Sequence, residues 1–348
     1  MTVGWGIAGP GAIAVGFAND LALVDAARLG AVGSRSAERG ASFAARFGAA
    51  SHGSYEDLAA NPDVDAVYVA TPASRHAADV VMFLEAGKHV LCEKPFALDE
   101  TQATHMIATA TRTARFLMEA MWTRFLPPYR LLASLLDDGV IGAPSFVESD
   151  FGFGVPREPM HRLWDPSLGG GSLLDLGVYP VQLASLVLGA PERVAAAGHV
   201  GPSGVDEIVV AVTTHLGGSF AVSKSSITVG MACTARIAGE RGVIELPAFM
   251  HCPPSVTVVG FDGRRTHATP WPGGGLQFQV AEVHRCLAEG RLESSVMPHA
   301  ESLSIMRTLD SIRHEIGLGF PAEDDQPVSQ LASTGAASRH PDPGGPSS

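Results

Sequence analysis

The chain has few cysteines, no long apolar run and no concentration of positive charge, and each shortage excludes something. Four cysteines (Cys92, Cys233, Cys252 and Cys286) are scattered through 348 residues without a C-x-x-C pair. Neither a zinc site nor a disulfide framework is signalled, and no metal is expected. Reduced thiols fit a cytoplasmic location. No segment approaches the ~20 apolar residues that a membrane-spanning helix needs. The N-terminus runs into a strand without the basic and apolar regions of a secretory signal. A formal net charge of −12, with no Lys/Arg stripe, argues against nucleic acid as a partner. Internal repeats are absent too.

What is present is a soluble-protein balance, with 46% hydrophobic and 17% charged residues, Ala and Gly swelling the apolar share. A length of 348 residues exceeds one ordinary core and suffices for two domains. Strands are predicted at 3–8, 28–33, 65–70, 89–93 and 115–120, with helices at 12–23, 37–47, 76–86 and 101–113. That alternation implies parallel βαβ units and a doubly wound Rossmann sheet over residues 1–120. Helices at about 127–138 and 172–188 then bracket a loop rich in Gly, Pro and aromatics. Strands at 207–216, 219–228, 233–238, 243–246, 255–261 and 266–269 follow, with a hairpin signal at Asp262-Gly263. The succession predicts an α+β domain over 121–321 with a large, mostly antiparallel open sheet, closed by helices at 276–289 and 300–316. From 322 to 348 the composition predicts a disordered tail.

Gly9-Pro10-Gly11-Ala12-Ile13-Ala14 fits G-x-G-x-x-(G/A), after a strand and at the start of a helix. The first glycine permits the tight turn, the second lets a pyrophosphate reach the backbone, and the third small residue lets helix and strand pack closely. Alone such a turn can be only a turn; in the first βαβ unit it points to a dinucleotide. At the end of the second predicted strand, an NAD enzyme carries Asp or Glu to bond the ribose hydroxyls. Here Ser34 and Arg35 occupy that place, with Arg39 one helical turn on. Serine can donate to a 2′-phosphate and arginine can add charge-assisted bonds and a flat face for adenine. NADP(H) is therefore favoured and NAD(H) remains an option; the plain alternative is a solvated basic loop. Thr71-Pro72 lies at a crevice-facing strand end, where it can floor the nicotinamide pocket or merely turn the chain. His76 fits a capping or packing role near a helix start better than that of a base.

Lys94 follows Val90-Leu91-Cys92-Glu93 and precedes Pro95. A cation there is costly unless something uses its charge, and proline stiffens the backbone before it. In open α/β sheets the ligand crevice lies outside the carboxyl ends of the strands, so Glu93 and Lys94 point to the cofactor. Asp175 and Tyr179, four apart in an apolar segment, share a helix face. Pro180 predicts a kink or break there. The plain alternative is a structural aspartate with a core tyrosine. Together Lys94, Tyr179 and Asp175 form an acid/base set for moving a hydroxyl proton while hydride passes to a nicotinamide. Both Lys and Tyr titrate near ~10, and Lys94 is expected to depress Tyr179, as the cationic ring depresses Lys94. Trp122, Arg124, Phe125, Phe153, Trp164 and Phe278 are candidates to wall a substrate pocket, though core packing explains most aromatics equally well.

These residues resemble the glucose–fructose oxidoreductase/inositol dehydrogenase (Gfo/Idh/MocA) family over about residues 3–320. The Gly-rich turn, Glu93-Lys94-Pro95 and the Asp175–Tyr179 spacing carry the likeness. Within it, Glu119 to Phe125 and Asp165 to Pro180 look like the dimeric dihydrodiol dehydrogenase and NADP-dependent D-xylose dehydrogenase branch. The resemblance implies an NADP(H)-dependent oxidoreductase acting on a sugar, polyol or cyclic diol. It implies that Lys94 contacts nicotinamide and substrate, that Tyr179 is the general acid/base with Asp175 assisting, and that Lys94-Pro95 is cis. It also implies a homodimer or homotetramer through the second sheet. Tyr179 stands where inositol dehydrogenase-like members carry histidine, which points away from inositol. A non-catalytic NADP-binding regulator of the same fold is the alternative from another class. A cofactor-recycling isomerase or glycosidase is disfavoured by Ser34.

Overall fold

The computed structural model describes residues 2–157 and 161–319. The predicted tail, 322–348, lies outside the described residues. In the first layer the chain runs through β1 (Val3–Ala8), α1 (Ala12–Leu21), β2 (Ala27–Gly33), α2 (Ala37–Phe47), β3 (Ala50–His52) and α3 (Tyr55–Ala60). It continues through β4 (Ala66–Val69), α4 (Ala73–Glu85), β5 (His89–Glu93), α5 (Glu100–Thr113) and β6 (Leu117–Ala120). The strands form a six-stranded parallel sheet in the order β3-β2-β1-β4-β5-β6. The order reverses between β1 and β4, which opens a crevice at their carboxyl ends. Every residue of β1 and β4 is buried, as helices on both faces of a parallel sheet require. Under the crevice, Phe17 stacks on Tyr68 with ring centroids 3.8 Å apart.

The second sheet has eight strands. After α6 (Pro127–Asp137) come β7 (Pro144–Gly152), a π turn at Leu173–Gly177 and α7 (Val178–Leu188). Then follow β8 (Pro191–Val200), β9 (Asp206–His215), β10 (Phe220–Ser226), β11 (Ala235–Gly239), β12 (Gly242–Leu246), β13 (Ser255–Gly260) and β14 (Gly263–Ala268). Their order is β14-β13-β12-β11-β7-β10-β9-β8, antiparallel except for β10 beside β7. The chain closes with α8 (Gln277–Ala288) and α9 (His299–Glu315). Both return to the first layer, α8 against α1 and α9 against α5. Asp20 of α1 accepts from the backbone N–H of Gly274 and Leu276 at 2.7 and 2.8 Å, fixing the entry to α8.

Several elements differ from the sequence reading. Three-residue β3 and the short α3 were not expected; Ser54 caps the latter by accepting from Asp57 N. The segment read as an aromatic loop contains β7, the strand between β11 and β10. Glu148 and Asp150 interrupt its apolar pattern, and Asp150 Oδ1 accepts from Cys233 N at 2.6 Å. Edge strand β8 is Ala-rich and half exposed, so it carries no apolar alternation to read. The helix expected at 172–188 is a π turn running into α7. By length and composition the run Pro166–Leu188 does pass for a membrane span, contrary to expectation, but 83% of its most apolar window is buried inside the fold. Its apolarity is that of a core helix.

The interface between the layers holds a buried acid with a measurable consequence. Glu119 in β6 is 1% exposed and accepts from Ser302 Oγ of α9 at 2.8 Å. Burial raises its carboxyl from 4.5 to about 7. The folded chain thus holds this proton to higher pH than the unfolded chain. As pH rises between those values the unfolded chain ionises first, and stability falls by about 1.4 kcal/mol per unit. Glu119→Gln removes that ionisation. Urea melts should show the variant matching the parent near pH 4.5 and exceeding it at pH 8 by roughly 3 kcal/mol. Equal stability at both pH values would show that Glu119 ionises without cost.

Candidate active site

A cleft of about 770 Å³ runs along the carboxyl ends of the first sheet, from the α1 N-terminus to the π turn. At one end lie Gly9, Pro10, Gly11, Ala12 and Ile13, with Ser34, Arg35 and Arg39 beside them. Gly9 has φ +90°, and a Cβ there would stand 2.8 Å from the Ala70 carbonyl oxygen. At Gly11 the opposite holds, since an added Cβ would meet nothing within 4 Å. No side chain caps α1, so its first N–H groups face that open space. The cradle fits a pyrophosphate. Thr71 Oγ1, on the same cleft, is buried without a protein partner.

Ser34 is 2% exposed and accepts from Ser36 N at 3.1 Å. Ser36 in turn caps α2, which presents Arg39. Tyr55 at the start of α3 also lines this end beside Arg35; nothing in the sequence reading singled it out. Among the described residues, the carboxylates lining the cleft are Glu93 and Asp175, both at the far end.

At that far end the predicted acid/base set converges. The Lys94-Pro95 bond is cis. Lys94 Nζ donates to the Asp175 carbonyl at 2.7 Å and to its Oδ1 at 3.3 Å, across 81 positions of sequence. The ammonium also lies 4.9 Å from the centroid of the Tyr179 ring. Trp122 Nε1 donates to the Tyr179 hydroxyl at 2.9 Å, leaving the phenolic hydrogen free to point into the cleft. Arg162 was not foreseen; its guanidinium donates to Asp175 Oδ1 at 2.9 Å. Glu93 accepts from the Tyr68 hydroxyl and, at 3.2 Å, from Lys94 N.

Burial works against the charge on Lys94, but Asp175, Tyr179 and Glu93 outweigh it and raise the ammonium above its ordinary value. Burial likewise opposes ionisation of Asp175, yet Lys94 and Arg162 hold that carboxyl low. For Tyr179 the expectation needs correction. Lys94 does lower the phenol, but burial is the larger effect and the net direction is up. The resting pair is therefore an ammonium beside a neutral phenol.

His76 lines the cleft with its ring nitrogens 2.8 and 2.9 Å from the carbonyl oxygens of Pro95 and Thr71, so its single neutral-form N–H braces the loop after β5 or the loop after β4. Burial lowers its pKa. Pro72 lines the cleft at the start of α4.

Of the six residues expected to wall a substrate, Trp122 alone lines the cleft. Arg124 is buried, its Nε on Gln182 Oε1 at 2.9 Å and its guanidinium on Glu301, so its charge is used in the core. Phe125 belongs to the core at 6% exposure, and Phe278 packs against it. Trp164 Nε1 donates to the Pro156 carbonyl at 2.9 Å, under the Arg157 guanidinium. Phe153 meets Phe151 edge-on. It is Phe151 and His251 that pack on Tyr179, at 5.5 and 5.0 Å between centroids. His251 had no motif to mark it, and burial followed by Lys94 lowers its pKa to about 4. No cluster of metal-ligating side chains occurs among the described residues.

A glycine cradle at the switch point of a doubly wound sheet, facing a buried cation and phenol, belongs to the class of Rossmann-fold oxidoreductases. A sequence model for the oxidoreductase family with an NAD-binding Rossmann fold, Gfo/Idh/MocA, matches residues 3–121, and one for the Gfo/Idh/MocA C-terminal domain matches 129–245. The chain belongs to the Gfo/Idh/MocA oxidoreductase family. It is 35% identical over 333 residues to the trans-1,2-dihydrobenzene-1,2-diol dehydrogenase of Xenopus laevis, covering 92% of this chain and 100% of that one. The Homo sapiens enzyme of the same name is 34% identical, with 93% and 99% covered. Among solved structures, a 3-ketoreductase from Actinomadura kijaniata in complex with NADP and TDP-benzene superposes with a TM-score of 0.83 at 27% identity, over 91% of this chain and 98% of that one. An aldose-aldose oxidoreductase from Caulobacter crescentus complexed with glycerol gives 0.83 at 26%, over 90% and 97%.

Proposed function

We propose that the protein is an NADP(H)-dependent oxidoreductase acting on a CH–OH group of a cyclic diol, polyol or sugar. The observation that carries the reading is the convergence of Lys94 and Tyr179 at the strand-end cleft. In the oxidative direction a hydroxyl proton must leave as the carbinol C–H departs as hydride, and the bound nicotinamide supplies the hydride acceptor. Lys94 and Tyr179 hold the substrate oxygen, and in reduction the resting pair donates a proton to it. In oxidation one of the two must first release its proton to solvent, which a cationic nicotinamide beside Lys94 favours, and it then takes the hydroxyl proton. Asp175, charged and anchored by Arg162, keeps the ammonium in place. Trp122 fixes the phenol so that its own hydrogen is directed at substrate.

NADP(H) is the preferred cofactor because Ser34, Arg35 and Arg39 line the other end of the cleft, with no carboxylate beside them among the described residues. The NADP held by the Actinomadura relative supports the choice. The diol dehydrogenases supply the substrate class, and Trp122, lining the cleft beside Tyr179, suits a ring with an apolar face. For assembly, we place a homodimer contact on the open face of the second sheet, where Val210, Val212 and Phe220 are 39%, 40% and 44% exposed.

The test is a spectrophotometric panel with purified protein, NADP or NADPH, and trans-dihydrodiols, aldoses, inositols and inososes. Nicotinamide turnover is expected with at least one diol or sugar, and faster with NADP than with NAD. Tight NADPH binding without turnover on any member would replace the enzyme reading with that of a dinucleotide-binding regulator.

A further inference from the structure

The segment that brings Asp175 and Tyr179 to Lys94 is irregular for an identifiable reason. Leu173–Gly177 form a π turn that runs into α7, a distortion often found at functional sites. A regular α turn would bring the N–H of residue 180 to the Leu176 carbonyl; a further π turn would bring it to that of Asp175. Residue 180 is proline and has no N–H to bring. The Asp175 carbonyl accepts from Lys94 Nζ instead, at 2.7 Å, a shorter contact than the 3.3 Å to its carboxylate.

The other end of the turn is clamped. Asp206, at the start of β9, is 0% exposed and accepts through Oδ2 from Ser172 Oγ at 2.7 Å and from Leu173 N at 2.6 Å. Ser172 Oγ also meets Ser225 Oγ of β10 at 3.0 Å. Gly171, with φ +114°, makes the approach possible, since a Cβ there would stand 2.1 Å from Asp206 Oδ1.

We propose that Pro180 and Asp206 are positioning residues that hold the π turn so that its Asp175 main-chain carbonyl seats the Lys94 ammonium beside Tyr179. The functional consequence rests on the catalytic reading of Lys94; the positioning itself does not. Around the ammonium, Asp175, Tyr179 and Glu93 favour the charged form, Arg162 opposes it, and the His251 ring is neutral. Restoring an N–H at residue 180 gives the Leu176 carbonyl its α-helical donor, which draws the π turn towards regular helix and weakens the hold of the Asp175 carbonyl on the ammonium.

Pro180→Ala tests this, and folding is not at risk because alanine is the better helix former. Competitive labelling with acetic anhydride across pH, read by peptide mass spectrometry on the full chain, follows Lys94 without requiring turnover. The other lysines in the sequence, Lys88 and Lys224, serve as internal references. The Lys94 midpoint is expected to fall by about one unit, the scale of one hydrogen bond to a charged group, while the references stay put. In parallel kcat should fall on the order of 10- to 100-fold with the NADPH Kd little changed. Asp206→Ala should act in the same direction, and Asp206→Asn, which keeps both acceptor bonds, should recover most of the loss. An unmoved Lys94 midpoint in Pro180→Ala overturns the positioning role, whatever turnover does. A moved midpoint with unchanged turnover leaves that role standing and removes the catalytic reading of Lys94.

Discussion

Replacing Lys94 with methionine should reduce kcat by roughly 10²- to 10⁴-fold, the range for a placed proton-transfer group, and leave NADPH binding within a few fold. The side chains are similar in length, so the packing between β5 and the π turn survives. Asp175 loses its ammonium partner but keeps Arg162 at 2.9 Å, which spares the fold an unpaired buried carboxylate. Removing one partner of a buried pair without such cover costs ~3–5 kcal/mol. The melting temperature of Lys94→Met should therefore shift only modestly. Steady-state kinetics with the best substrate, alongside a fluorescence titration of NADPH, checks both halves. Activity within tenfold of the parent would take Lys94 out of the mechanism, and the enzyme assignment would then rest on Tyr179 alone.

Ser34→Asp should invert the cofactor preference. Ser34 is buried and already accepts from Ser36 N, a bond an aspartate oxygen can also accept. The new charge would lie where a 2′-phosphate is expected, at the end of the cleft lined by Arg35 and Arg39. Like charges brought together at an interface cost several kcal/mol. With tenfold per 1.4 kcal/mol, kcat/KM for NADP should fall on the order of 10²-fold. The same carboxylate can accept from ribose hydroxyls, so NAD should hold or gain. The readout is the ratio of the two kcat/KM values. A ratio unchanged from the parent would mean that the adenosine end binds away from Ser34, and the preference for NADP would have to come from Arg35 or Arg39.

Much of the glycine-turn end of the cleft was legible because it is local. A Gly9-x-Gly11 turn between a buried strand and a helix, and the serine and arginines after β2, lie within short stretches of chain, and their geometry follows from backbone constraints. Lys94 was legible because a cation before proline at the end of a buried strand calls for a partner. The partner was guessed from a spacing of four in an apolar segment. That spacing did not disclose the π turn, nor that the main chain of Asp175 would be the nearer acceptor.

The surroundings of Tyr179 were hidden for the opposite reason. Arg162, His251 and Phe151 reach Asp175 and Tyr179 from three separate segments, and no periodicity links them. Aromatic density near Trp122 suggested a wall, but Phe125 and Arg124 turn inward to the core, as composition alone cannot reveal. The sign of the Tyr179 shift was missed because burial was left out of the comparison with Lys94.

The return of α8 and α9 to the first layer has a mechanical consequence. Chain from both ends is woven into the nucleotide-holding half: Asp20 grips the entry to α8, and Trp5 Nε1 donates to His284 of that helix at 3.0 Å. The halves are laced together rather than strung on a single tether. Any opening that admits the dinucleotide must pivot on packed helices, by sliding of a few side chains, and cannot swing freely as two beads would.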